Sequence, residues 1–136
     1  MFFKKENKDI KNDLTKIAAL LIHAAKIDEN FSKKEEEIIN KTLLKLGAKQ
    51  QILENIMKEG KALEESANQI LDFTKEVKNM DEEKKIEIIE TLWRIIYSNN
   101  EADIYETNLM RRLGGLMYID NKIMGDIKEK IKIENQ

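Results

Sequence analysis

Two turns hold the residues whose types and spacing have the clearest capacity for chemistry. Asp28-Glu-Asn30-Phe-Ser32-Lys-Lys-Glu35 is followed 71 positions later by Asn99-Asn-Glu101-Ala-Asp103-Ile-Tyr-Glu106. In register, Asp28 stands with Asn99, Asn30 with Glu101, Ser32 with Asp103 and Glu35 with Glu106, so every pair carries side-chain oxygens. Such donors suit a hard divalent cation, Ca2+ among them. Asp28-x-Asn30-x-Ser32 opens as a calcium-binding loop between two helices does, but the match then fails. Lys33 holds the glycine position and Ile39 that of the bidentate glutamate, with Ile104 and Met110 in the second copy. A self-contained loop site is therefore excluded. What remains is a shared site, with pseudo-twofold packing bringing the turns together and Asp28, Glu35, Glu101, Asp103 and Glu106 as ligands. Helix capping competes for the same residues. Ser32 and Asp103 are placed to accept from amides at a helix start while Glu35 and Glu106 reach back, each cap being worth about 1 kcal/mol. Capping does not account for Asp28, Asn30, Asn99 or Glu101.

Other chemistries find little support in the residues. His23 is the only histidine and has no Glu-x-x-His or His-Glu-x-x-His spacing around it, so di-iron and zinc-hydrolase patterns are absent. It is expected as a half-buried or surface side chain. There is no cysteine, and neither a glycine-rich phosphate loop nor a Ser-His-Asp arrangement is visible. No catalytic residue and no organic cofactor is assigned, and the chain is read as non-enzymatic. Arg111 and Arg112 have Thr107 and Asn108, not acids, one turn back. An ion pair to another helix is expected for them, with anion or partner recognition as the alternative. Trp93 and Phe73 sit on apolar faces and read as core.

The elements that must position these residues are helices. Charged residues make up 37% of the 136, aromatics only 6%, and proline is absent, a mixture that disfavours sheets. Leu14, Ile17, Ala18, Leu21 and Ala25 mark an amphipathic helix from about Asp9 to Ile27. Ser32 and Glu35 open a second helix with Ile38, Ile39, Leu43 and Leu46 inside, and Gly47 stops it. Ala48 to about Glu65 forms one kinked helix or two short ones, depending on Gly60. A short helix carries Ile70, Leu71, Phe73, Thr74 and Val77. Asp81 caps a strong helix with Ile86, Ile89, Leu92, Trp93 and Ile96 inward. Asp103 opens another with Leu109, Met110, Leu113, Leu116 and Met117, and Asp120 a last one with Ile123, Met124, Ile127 and Ile131. The expectation is one all-α domain over residues 1–136, about seven helices built from two repeated helix-turn-helix halves, with flexible ends at 1–8 and 133–136.

Placed on these helices, the turns resemble those of the TerB-like family, helical proteins named for a component of bacterial tellurite-resistance operons. The resemblance runs from about Leu14 to Asp120. In that family a small residue and Asp-Gly end one helix and an acid seven positions after the Asp starts the next, once per half. Here the counterparts are Ile27-Asp28-Glu29 with Glu35, and Ser98-Asn99-Asn100 with Glu106. Tyr105-Glu106 through Leu113, and Leu116 through Asp120, are similar to small stand-alone bacterial members. Both family glycines are replaced, by Glu29 and Asn100, and the second aspartate by Asn99.

The resemblance implies a stress-associated domain, linked to tellurite, phage or DNA damage, that interacts with an unidentified protein and binds divalent cations at its acidic turns. The alternatives are a metal-sensing or metal-buffering protein and, more distantly, a small enzyme. With 24 basic and 26 acidic residues of alternating sign, a general affinity for nucleic acid is excluded. Met1, Phe2 and Phe3 beside Lys4 and Lys5 give at most peripheral membrane contact. Charge from the fourth residue on leaves no signal-like apolar stretch, so a cytoplasmic address is expected.

Overall fold

The computed structural model describes residues 2–27, 31–66, 71–98 and 104–134. Among them are seven helices and no strand: α1 (Phe2–Ala25), α2 (Lys33–Lys45), α3 (Gln50–Ser66), α4 (Leu71–Lys78), α5 (Glu82–Tyr97), α6 (Ile104–Leu116) and α7 (Asn121–Glu134). α1 starts at Phe2, upstream of the Asp9 read from apolar spacing, because no glycine or proline between them ends a helix. No helix among the described residues is long and apolar enough to cross a membrane.

The repeat is larger than two helix-turn-helix units. α6 begins and ends 71 positions after α2, and α7 begins 71 positions after α3. The buried parts of α1 and α5 keep the same offset, so Ile17 corresponds to Ile88, Leu21 to Leu92 and Ile22 to Trp93. Three helices are thus repeated, α1-α2-α3 as α5-α6-α7, with α4 between the copies.

Local signals set the helix ends. Ser32 accepts from the Glu35 amide at 3.2 Å and its own amide donates to Glu35 Oε1 at 2.9 Å, completing a capping box. Asp81 accepts from the Lys84 amide at 3.0 Å, and Asp120 from the Lys122 amide at 3.1 Å. α2 ends with Gly47 at φ 112°, the Ala48 amide donating to the Leu43 carbonyl at 2.9 Å. α6 ends in the same motif, but its left-handed residue, 71 positions on, is Tyr118 at φ 56°. Lys78 sits 4.7 Å from the Tyr118 ring centroid, over a side chain that is 68% exposed.

The first helices of the two repeats form the centre. Ile17 through Ile22 are all essentially inaccessible, as are Ile88, Ile89, Thr91, Leu92, Ile95 and Ile96. The single inward stripe read from Leu14, Ile17 and Leu21 therefore understates the stretch from Ile17 to Ile22, which is buried all round because α2, α3, α4 and α5 pack on α1 from different sides. α2 joins the two centres. Thr91 donates to the Glu87 carbonyl at 2.8 Å, so the 2.6 Å bond between Thr42 and Thr91 takes its proton from Thr42.

Gly60 has a tertiary role. α3 is one uninterrupted helix, and a Cβ at position 60 would lie 2.9 Å from Ala18 Cβ. The glycine lets α3 lie close against α1, and that packing outweighs its weak helix propensity.

Candidate functional site

Of the five ligands read from the turns, Glu35 and Glu106 are placed, whereas Asp28, Glu101 and Asp103 lie outside the described residues, as do Asn30 and Asn99. Glu35 is 1% exposed and Glu106 6%, in the first turns of α2 and α6 and separated by the repeat offset. Both are engaged by other groups. For Glu35 these include the capping box, whose Ser32 hydroxyl lies 3.0 Å from Oε1. Capping a surface helix does not require a buried glutamate, so the burial is a separate fact about both turns. Among the described residues no three or more histidine or acidic side chains converge as a metal centre.

His23 has a partner that sequence spacing concealed. Its Nδ1 lies 3.2 Å from Glu64 Oε2 on α3, and Lys26 Nζ lies 2.7 Å from Glu64 Oε1. Burial opposes ionisation of Glu64, but hydrogen bonds from Lys26 and His23 outweigh it and hold the carboxyl below the usual range. The equivalent clasp in the second repeat uses Arg94, at the position of His23, whose Nε is 2.8 Å from Glu134 Oε2 on α7. Glu90, 8% exposed, adds an ion pair to Lys130 at 3.1 Å. All of these pairs join residues about 40 apart in the chain, and no local pattern announces them.

The inter-helix ion pairs expected for Arg111 and Arg112 are not found. Both side chains are exposed and neither forms an ion pair among the described residues. Arg111 instead lines a groove of about 180 Å³ between α6 and α7, with Lys128, Thr107 and Asn121 and a floor of Met110, Met124 and Trp93. Trp93 is 2% exposed and stacks on Tyr97 at 5.9 Å, as its core assignment requires. Its Nε1 is buried with no hydrogen-bond partner among the described residues.

The first repeat has a corresponding groove, of about 700 Å³, between α2 and α3. Six lining positions are shared at the repeat offset. Gln50 and Leu53 become Asn121 and Met124, which preserves their character; Glu36, Asn40, Glu54 and Met57 become Thr107, Arg111, Gly125 and Lys128, which does not. Two carboxylates are lost and two cations gained.

A duplicated three-helix unit with its first helices buried at the centre and an acid heading each second helix defines a small all-α domain with paired turns. The chain belongs to the TerB family: residues 14–129 match the family described as tellurite resistance protein TerB. That span runs from α1 into α7 and includes both turns and both grooves. No curated protein and no solved structure matches the chain.

Proposed function

We propose that this chain is a helical interaction domain of a stress-linked bacterial assembly, acting in the cytoplasm by binding and not by turnover, and that a divalent cation held at its two turns adjusts it. The observation that carries the reading is the burial of Glu35 and Glu106 at equivalent helix starts. A carboxylate withdrawn from water needs strong partners, and two such acids at matching places mark the turns as more than solvated loops. Family membership supports the tellurite-resistance class of domain, and the cation is the finer part of the proposal. The donor chemistry fits, since Ca2+, Mg2+ and Mn2+ all take carboxylate oxygens. Glu35 would share its carboxylate with the Ser32 cap, and Glu106 would supply the matching group from the second repeat. Asp28, Glu101 and Asp103 are the remaining donors.

Thermal unfolding of the full chain in EDTA, then in calcium, magnesium or manganese, tests this. A ligand at a hundred times its dissociation constant adds about 2.7 kcal/mol, which raises the midpoint by roughly ten degrees in a domain of this size. The expected result is an ion-dependent rise that Glu106→Gln removes and Glu36→Gln, an acid outside the turns, retains. Unchanged midpoints with every ion would end the cation reading. Failure of the wild-type gene to restore stress survival to a deletion strain would end the assignment to a stress-linked assembly.

A further inference from the structure

We propose that the groove between α6 and α7 binds a small carboxylic acid with a short branched aliphatic stem, Arg111 and Lys128 taking the carboxylate and Met110, Met124 and Trp93 the stem. This goes beyond the cation reading and does not depend on it. Four observations carry it. First, the two cations line one small groove and neither forms an ion pair among the described residues, whereas Lys16, Lys26, Arg94 and Lys130 each hold a glutamate within 3.1 Å. Second, no carboxylate among the described residues lines this groove, although its counterpart in the first repeat carries Glu36 and Glu54 at matching positions. At the shared positions the charge is reversed, which is complementary to an anion. Third, Lys128 Nζ lies 5.5 Å from the Trp93 ring centroid, so the ammonium is held beside the apolar floor and not spread into solvent. Fourth, the buried Trp93 Nε1, on a residue that lines the groove, has no acceptor among the described residues.

Size and lining choose among anions. A volume of about 180 Å³ is below the roughly 300 Å³ at which pockets for drug-sized ligands begin, so the occupant is small. Two methionines and a tryptophan contribute nothing to a bare oxyanion but bury an aliphatic stem. The guanidinium of Arg111 presents a planar fork that matches a carboxylate with two parallel hydrogen bonds.

Trp93 is the only tryptophan and lines the groove, so its emission is a probe of occupancy there. Titration of the full chain with isovalerate at constant ionic strength is expected to change that emission saturably. Isovaleramide, which keeps the stem without the charge, and inorganic phosphate, which keeps charge without the stem, are each expected to bind at least about tenfold more weakly, as loss of a charge-assisted hydrogen bond or of the buried stem requires. Arg111→Asn and Lys128→Met install the residues the first repeat carries, on surface positions, and each should weaken isovalerate by at least about tenfold. Arg112→Gln, outside the groove, should leave it unchanged. A linear response to isovalerate, equal binding of the amide or of phosphate, or equal weakening by Arg112→Gln would each overturn the proposal. Saturation by N-acetyl-leucine with none by isovalerate would overturn it in favour of a peptide C-terminus.

Discussion

The two repeats start their second and third helices in register but differ in how closely their helices pack and in the charge they present. In the first, Ala18 on α1 meets Gly60 on α3; at the equivalent places the second repeat has Ile89 and Ile131, both buried. Small residues permit close helix approach, and branched ones fill the space of a wider one. The polar clasps diverge as well, with His23, Lys26 and Glu64 in one repeat and Arg94 and Glu134 in the other. The grooves diverge most, one carrying carboxylates together with Lys58 and Lys61, the other cations without ion pairs among the described residues. Caps and apolar spacing are what both copies must retain in order to fold. Spacing between helices and surface charge are free to specialise, so a function of either groove belongs to one half of the molecule.

The largest test of this difference is Gly60→Ala. In an exposed helix interior the substitution stabilises by about 0.5–1 kcal/mol. At position 60 the added methyl would lie 2.9 Å from Ala18 Cβ and 3.4 Å from the Ala19 amide nitrogen, and backbone cannot yield as a flexible side chain does. Overpacking of this kind costs about 1–3 kcal/mol, so a net loss is expected in urea unfolding, with little change in slope. A gain would mean that α1 and α3 separate at no cost, and the contrast between the repeats would lose its packing basis.

How much of this was legible beforehand follows the range of each interaction. Ser32 with Glu35, Gly47, Asp81 and Asp120 act within a few residues, and each does in the structure what its spacing implied. The apolar sets of α6 and α7 are equally plain, whereas α5 buries Ile88 and Ile95 beyond its stripe and leaves Ile86 half-buried. Gly60 was ambiguous because its reason lies on α1, some 40 residues away. Glu64 and Glu134 were missed for the same cause, their partners being set by packing and not by periodicity. For Arg111 and Arg112 the spacing implies ion pairs that are absent among the described residues, since absence of a local acid says nothing of what a neighbouring helix presents. The repetition of the third helix is not legible in the sequence because Leu53, Ile56 and Gly60 correspond to Met124, Ile127 and Ile131, a likeness of apolar character and not of identity. Of the turns, the acids themselves were readable from sequence; the burial of Glu35 and Glu106 was not.

A smaller effect separates the clasps by pH. Glu64 is held below the usual carboxyl range, so its contribution is complete above about pH 4.3, the ordinary glutamate value, and is lost as pH falls through the folded value. Glu64→Gln should lower stability at neutral pH by on the order of 1 kcal/mol, the upper end for a partly exposed pair. It should also flatten the decline of stability on acidification, measured by urea unfolding across that range. The second clasp has the same sign, because the hydrogen bond from Arg94 holds Glu134 below its usual value. Glu134 is about half exposed, so Glu134→Gln should flatten the curve less. Equal flattening by both would erase the distinction between a half-buried and an exposed carboxylate.

The smallest effect reverses the sign of the first with the same chemical change. Gly125, in α7, stands where the first repeat has Glu54, and a Cβ there meets nothing within 4 Å. Nothing opposes the propensity term, so Gly125→Ala should raise stability by about 0.5–1 kcal/mol, against the loss expected at Gly60. The gain is read in the same urea experiment as a higher midpoint at constant slope. A loss at Gly125 would show that the open side of α7 is closed in solution, and with it the groove that sets the second repeat apart.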